Sequence, residues 1–389
     1  MLRVARSTLD FRAMTEPAPL QQVERTYVRF RKRKLSYFSG CDYFRLASHP
    51  EVIAALQEGV AKYGLNVAAS RLTTGNHVLY GELEKQLAEF FGAEKALLVS
   101  GGYVTNLIVA QALAGNFSHV IVDEKVHPSL WDAARLLDCP VLKLRHQDLG
   151  DLEQIVRRCG PGTKLLLMTD GMFAHDGSVT PLAKYLDVLP KDAVILVDDA
   201  HGAGVVGKTG KGSLEHEGVT RKGIIQTITL SKAFGIYGGA ILGTVSLRQR
   251  ILDHSKMFLG STPLPLPLAN AAMTSVHILK RDRSLRARLV ANTNFVKSAL
   301  HGAGKLSEVT PGPIVPIIPG SAREVTEIRR RLLATDIFPP FVKYAIGPAN
   351  GYFRFVISSE HHKDQLKGVV EVLTRGMERR NRKTNSDGR

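Results

Sequence analysis

Between residues 96 and 197 the chain alternates short apolar runs with helix-like stretches, and this alternation restricts the fold more than any other feature. The short runs at 96–100, 119–123, 141–145, 164–169 and 193–197 read as strands, and those at 164–169 and 193–197 are nearly continuous in apolar side chains. A strand without a polar face is covered on both sides, so these runs predict a mostly parallel sheet between two layers of helices. The stretches after them, up to Ala114 and at 128–137, 149–158 and 181–189, are read as those helices. Ligands of such sheets gather at the carboxyl ends of the strands. Upstream, Val52, Ile53, Leu56 and Val60 share one helical face between Pro50 and Gly64, and Leu79, Leu83, Leu87, Phe90 and Phe91 mark a second amphipathic helix ending at Gly92.

After about residue 285 the pattern changes. A strand at 314–318, a helix at 325–333, a strand at 352–357 and a basic helix from His362 read as a small α+β domain. The expected organisation is therefore a leader at 1–35, loosely ordered, then a large domain at 36–284. A small domain at 285–376 and a basic disordered tail at 377–389 complete it. The leader's Arg3, Arg6, Arg12, Ser7 and Thr8 resemble a transit peptide only faintly, because Asp10 interrupts them.

At 389 residues, with 44% hydrophobic and 23% charged side chains, the composition is globular and leaves ample core for two domains. No apolar run approaches the roughly 18 residues that would span a bilayer. Cys41, Cys139 and Cys159 are scattered and odd in number, which argues against a disulfide framework and for a reducing compartment, the cytoplasm. They lack metal-ligand spacing, and no metal is expected. The 52 Lys+Arg against 36 Asp+Glu leave a charge of +16, part of it at 25–34 and 375–389. Nucleic acid, an acidic carrier protein, the phosphates of a coenzyme A thioester and a plain solvated tail are all compatible with such charge.

Residues 229–239 (Thr-Leu-Ser-Lys-Ala-Phe-Gly-Ile-Tyr-Gly-Gly) place Lys232 between two β-like runs. A buried lysine is costly as a free ammonium, and the cost is removed if the amine is joined to a carbonyl as an imine. Gly235, Gly238 and Gly239 would let a flat ring approach the backbone. Residues 197–204 follow a buried strand, so Asp198 and His201 emerge at its carboxyl end. A carboxylate there can keep a pyridine nitrogen protonated and His201 can donate to a phenolate oxygen, although a turn cap with a loop histidine is the plainer alternative. Gly102 and Tyr103, between a strand and a helix, suit a phosphate on backbone N–H groups. The Walker lysine is absent there, against a nucleoside triphosphatase. His127 follows a third strand and could lie flat on a cofactor ring.

In this order the features fit a pyridoxal-phosphate enzyme, and the chain resembles the α-oxoamine synthases of fold-type I. These enzymes join an amino acid to an acyl thioester with loss of carbon dioxide. The likeness runs from about Tyr37 to Gly376. Its most specific windows are Thr-Gly-Asn-His at 74–77 with Leu83-Glu84 behind it, 197–207 and 229–235. The resemblance implies that Lys232 carries the cofactor as an imine and moves the α-proton, with Asp198 on the pyridine nitrogen, His201 on the ring hydroxyl and His127 stacked. It implies Gly102, Tyr103 and Thr229 around the phosphate, and Ser261 or Thr262 reaching the phosphate of a neighbouring subunit, hence a homodimer. Arg354, inside an apolar strand that calls for an anionic partner, matches the arginine that binds the amino acid carboxylate.

Three departures qualify the likeness. Cys41 and Arg45 stand where the family has Asn and Gly, Ala174 stands where it has Ser, and an N-terminal substrate-contacting arginine has no clear match. The expected activity is a decarboxylative condensation of alanine or glycine with an acyl-CoA or acyl-carrier thioester. An aminotransferase or aldolase-type lyase on the same fold is the alternative, and a basic binding protein on an inactivated scaffold is the reading from another class. Neither nucleic acid nor a membrane span is expected.

Overall fold

The strands form three sheets in the computed structural model, which describes residues 19–344 and 347–374. β1 (Gln21–Glu24), β2 (Tyr27–Phe30) and β3 (Arg33–Ser36) make an antiparallel meander. β4 (Lys95–Val99), β5 (His119–Asp123), β6 (Val141–Leu144), β7 (Leu165–Asp170), β8 (Val194–Asp198), β9 (Ile224–Thr229) and β10 (Gly239–Gly243) make the central sheet, in the order β4-β10-β9-β8-β7-β5-β6. β11 (Ile314–Ile317), β12 (Phe341–Val342) and β13 (Tyr352–Val356) make the third, ordered β11-β13-β12. In the central sheet only β10 runs against its neighbours β9 and β4. β5 through β9 pair in parallel, so the mostly parallel, doubly covered sheet expected from the apolar runs is observed.

Burial follows the pleat. β7 and β9 are buried at every position. Leu97 and Val99 of β4 join Val120, Val122 and Met168 in one core, beneath the helices Gly102–Leu113, Pro128–Ala134 and Val245–His254. Ala96 and Leu98 point the other way, into a core with the helices Pro50–Tyr63, Val78–Phe91 and Leu266–Arg281. Each fully buried leucine or valine contributes about 1.5–3 kcal/mol relative to exposure. Cap chemistry sets the helix starts. The Asp148 carboxylate accepts from Asp151 N at 2.9 Å, and Pro50 and Pro128 occupy first turns behind capping histidines.

Two boundaries differ from the sequence reading. The leader expected to be loose through residue 35 is structured from Gln21 onward. Its basic side chains face water, while Val28 pairs with Leu35 across the meander and both are fully buried. The meander is fastened to the C-terminal part of the chain by an Arg25–Glu360 ion pair of 2.6 Å and by Ser36 N donating to Asp336 O at 2.7 Å. The passage between domains is gradual, since Leu285 and Leu289 of the helix Arg283–Gly302 lie in the large-domain core and its Val296 and Leu300 in the small-domain core. One rod thus serves both cores. The expected tail at 377–389 lies outside the described residues.

Asp199 organises the glycine-rich segment after β8. Its carboxylate accepts from Ser213 N at 2.8 Å and Gln226 Nε2 at 2.6 Å. The chain wraps it so closely that a Cβ at Gly212 would stand 1.9 Å from Oδ2 and one at Gly202 2.1 Å from Oδ1; Gly212 also has φ +90°. Burial raises its pKa from 3.8 to about 6. The folded state thus binds a proton that the unfolded state has already released between these values, and stability falls as pH rises through that window. Asp199→Asn is expected to remove this term, about 3 kcal/mol. Denaturant midpoints of the two proteins at pH 4 and pH 7 check it; equal pH dependence would refute it.

Candidate active site

A cavity of about 320 Å³ opens where β4, β5, β7, β8 and β9 end, the size of a small-cofactor pocket. The strand order brings Gly102, Tyr103, His127, Asp198, His201, Thr229 and Lys232 onto its walls. Seven of the residues expected from the sequence therefore meet in one place, though they are spread over more than 130 positions.

The anion-binding corner is built by backbone. The helix Gly102–Leu113 begins with Gly101 as N-cap and no side chain capping it, so its first N–H groups face the cavity mouth free of a side-chain acceptor. Gly102 is required for space, because a Cβ there would lie 2.7 Å from Thr229 Cβ and Oγ1. Thr229 Oγ1 donates to Gly238 O at 3.1 Å and accepts from Ser231 N at 3.1 Å, which fixes the turn leading to Lys232. Tyr103 is half exposed, donates its phenol proton to Asp132 at 2.5 Å and meets the His127 ring edge-on at 5.7 Å.

Asp198 is held from below. Its Oδ2 accepts from Asn106 Nδ2 at 2.6 Å, its Oδ1 accepts from Ala200 N at 3.1 Å, and Thr227 Oγ1 donates to Asn106 Oδ1 at 2.7 Å. Asp170, buried at the end of β7, is a second carboxyl in the same cavity. Burial, then the charge of Asp198, push its pKa well above the usual carboxylate range. The Lys232 amine is held below the usual lysine value, by burial first, against the attraction of Cys41, Asp198 and Asp170.

Both histidines are neutral at pH 7. Burial lowers His127 despite Asp198, and burial with Lys232 lowers His201 much further. His127 is oriented as a helix cap, its ring Nδ1 accepting from Ser129 N at 3.2 Å while its backbone N–H donates to Asp170 Oδ1 at 3.1 Å. His201 Nδ1 lies 2.7 Å from the Tyr43 phenol, which leaves Nε2 for a ligand.

Arg354 sits in the middle of β13 and is buried, outside the cavity lining but within electrostatic reach of Lys232 and His201. Its Nε donates to Ala174 O at 2.5 Å, and its two terminal nitrogens lie 3.8 and 3.7 Å from Cys41 Sγ. No protein carboxylate is paired with it among the described residues, and a buried guanidinium in that position suits an incoming carboxylate. Burial pushes the Cys41 thiol up, but Arg354 and Lys232 outweigh it and bring its pKa below the ordinary value.

Ser261 and Thr262, which the resemblance assigns to the phosphate of a neighbouring subunit, do not line this chain's own cavity; both are exposed, in a crevice shared with Arg71, Ser100 and Pro263. One expectation changes. The glycines after Lys232 clear space for neighbouring chain rather than for a ring. A Cβ at Gly235 would be 2.3 Å from Ala47 N, one at Gly238 would be 3.2 Å from a Leu264 methyl, and one at Gly239 would be 2.9 Å from the Gly101 backbone. Sequence reasoning missed Asn106, Asp170, Ser129 and Tyr43. Asp170 was findable, since it closes an apolar strand as Asp198 does. Tyr43 carries no such signal, because only tertiary packing brings it to His201.

The residues fit pyridoxal phosphate: an amine and a carboxylate face one cavity, and a helix start with unclaimed N–H groups suits the phosphate. Comparison with known proteins agrees. The family model "Aminotransferase class I and II" matches residues 40–373. The 8-amino-7-oxononanoate synthase of Thioalkalivibrio sulfidiphilus is 36% identical, over 89% of each chain, and an enzyme of that name from Bacillus subtilis is 32% identical over 91% of each. Among solved structures, a serine palmitoyltransferase of S. paucimobilis with a bound PLP–myriocin aldimine superposes with a TM-score of 0.87 at 24% identity, over 94% of each chain. The 8-amino-7-oxononanoate synthase of Francisella tularensis gives 0.76 at 24% identity, over 88% of this chain and 98% of that one. Matched over most of its length by the family model and by these relatives, the chain belongs to the class I and II aminotransferase family and, within it, to the α-oxoamine synthases.

Proposed function

We propose that this protein is a pyridoxal-phosphate-dependent acyltransferase that condenses an amino acid, alanine or glycine, with an acyl thioester of CoA or a carrier protein. The observation that carries this is the Lys232 amine and the Asp198 carboxylate facing one strand-end cavity, with the unpaired guanidinium of Arg354 beside it. The cofactor, when bound, supplies an electron sink for negative charge developing at the amino acid Cα. Asp198, aimed by Asn106, keeps the ring nitrogen protonated. The N–H groups at Gly102 and Tyr103 and the Thr229 turn take the phosphate. His127 would cover the ring, and His201, through Nε2, would hold its hydroxyl.

Arg354 takes the substrate carboxylate. Lys232, whose amine burial holds below the usual lysine value, removes the α-proton and later returns one. A bond forms between Cα and the acyl carbon, the C–S bond breaks to release a thiol, and the substrate carboxylate leaves as carbon dioxide. This chemistry separates the reading from transamination and from aldol cleavage, neither of which releases a thiol. The surplus of positive charge suits a phosphorylated carrier through steering.

The enzyme acts as a homodimer in this reading. Thr262 is exposed beside Ser100, which lines both its crevice and the main cavity, so a second subunit can bring its own Thr262 to the phosphate. Among the described residues no helix is long and apolar enough to cross a membrane. A cytoplasmic location rests on the three free cysteines.

Purified protein incubated with amino acids and acyl thioesters is expected to release thiol and carbon dioxide in equal amounts; transfer of the amino group without thiol release would sink the proposal. Lys232→Ala should abolish turnover and the visible absorbance of bound cofactor while leaving circular dichroism intact. Arg354→Lys should raise KM for the amino acid roughly 30-fold, about 2 kcal/mol, with cofactor absorbance preserved. For Asn106→Ala, cofactor affinity measured by fluorescence should weaken about tenfold, the value of one charge-assisted hydrogen bond.

A further inference from the structure

His146, His175 and Asp176 form a second cluster, outside the cofactor cavity. His146 follows β6, and the other two sit on the loop after β7, which is pinched closed by a bridge between Met172 and Val179. Each of the three offers a ligand atom, and these atoms all lie within 4.8 Å of one another. None of the three lines the cofactor cavity.

Two details point to a ligand. The Nδ1 of His146 lies 3.0 and 3.2 Å from the two carboxylate oxygens of Asp123, which is fully buried at the end of β5. A carboxylate there fixes the proton on Nδ1 and leaves the Nε2 lone pair outward, the support that metal-binding histidines receive. The Nε2 of His175 is buried without a hydrogen-bond partner, 3.2 Å from Asp176 Oδ2 but outside hydrogen-bond geometry. The His146 and His175 rings stand 5.3 Å apart at 63°. Their side chains remain 14%, 16% and, for Asp176, 27% exposed, which leaves access from solvent.

We propose that His146, His175 and Asp176 bind a divalent transition ion of the zinc class, with water in the fourth position. Two imidazoles and one carboxylate are a donor set such ions take. Bond lengths of 2.0–2.1 Å around a tetrahedral centre put ligand atoms about 3.4 Å apart. From separations within 4.8 Å the cluster therefore closes by at most about 1.4 Å, within the reach of side-chain rotation.

The ion would tie together parts that meet only here. Ala174 O accepts from Arg354, Asp176 O accepts from Thr310 Oγ1 at 2.6 Å, and Gly177 O accepts from Gly312 N at 2.9 Å. The same loop thus reaches Arg354 and the segment just before β11, and the ion would anchor it to the ends of β5 and β6. This inference does not depend on the reaction proposed above.

The test is titration of the holoenzyme with zinc by calorimetry and with cobalt by its d–d absorption. One site is expected, lost or weakened at least tenfold in His175→Ala and in His146→Ala, and weakened about 10–100-fold in Asp123→Asn. Zinc should raise the melting temperature of the parent protein and not that of His175→Ala. Visible absorbance of the bound cofactor verifies that each variant is folded, and His175→Ala, on a partly exposed loop, decides if His146→Ala fails that criterion. Absence of binding up to millimolar metal, or binding unchanged in His175→Ala, overturns the proposal.

Discussion

Everything at the active site depends on charge held at the dry ends of buried strands. β7, β8 and β9 are buried along nearly their whole length and end in Asp170, Asp198 and Thr229. Water that would screen these groups is displaced by the sheet and by two helix layers, so their interactions are stronger than on a surface, and so are the penalties for leaving them unpaired. Asp198 accepts hydrogen bonds from Asn106 and a backbone N–H, while burial and the charge of Asp198 push the pKa of Asp170 beside it well up.

The same reasoning explains the cations. Lys232 is lowered because burial disfavours its charge, which readies the amine for a covalent bond or a proton. Arg354 cannot respond that way, since a guanidinium does not surrender its proton. It is held by the Ala174 carbonyl and a polarised Cys41 thiol instead of by a carboxylate. Cys41, where the family has asparagine, is thus a soft neighbour of the guanidinium, and it leaves Arg354 without a carboxylate partner among the described residues, as its proposed role requires.

The domain arrangement serves this constraint. Arg354 belongs to the small-domain sheet and Lys232 to the connection between β9 and β10 of the large-domain sheet, so their spacing is a property of how two cores meet. The helix Arg283–Gly302 buries leucines in both, the meander from Gln21 to Ser36 clips onto the C-terminal region, and the loop 173–178 bridges to Thr310 and Gly312. Together they hold the guanidinium where the reading of the site needs it.

Local sequence determined the parts that obey short-range rules: the apolar runs that became parallel strands, the proline and glycine ends of helices, and the strand-end positions of His127, Asp198 and Lys232. Periodicity and cap chemistry act within a few residues, which is why they could be read from a linear string. The tertiary structure decided what depends on residues distant in sequence. It turned a basic leader into a meander because Val28 and Leu35 find each other, it set Tyr43 on His201, it aimed Asn106 at Asp198, and it left Thr262 facing outward. It also brought His146 to His175, a proximity that no spacing along the chain encodes. Those outcomes follow from packing, where a side chain's partner is chosen by the space left between elements rather than by its neighbours in the chain.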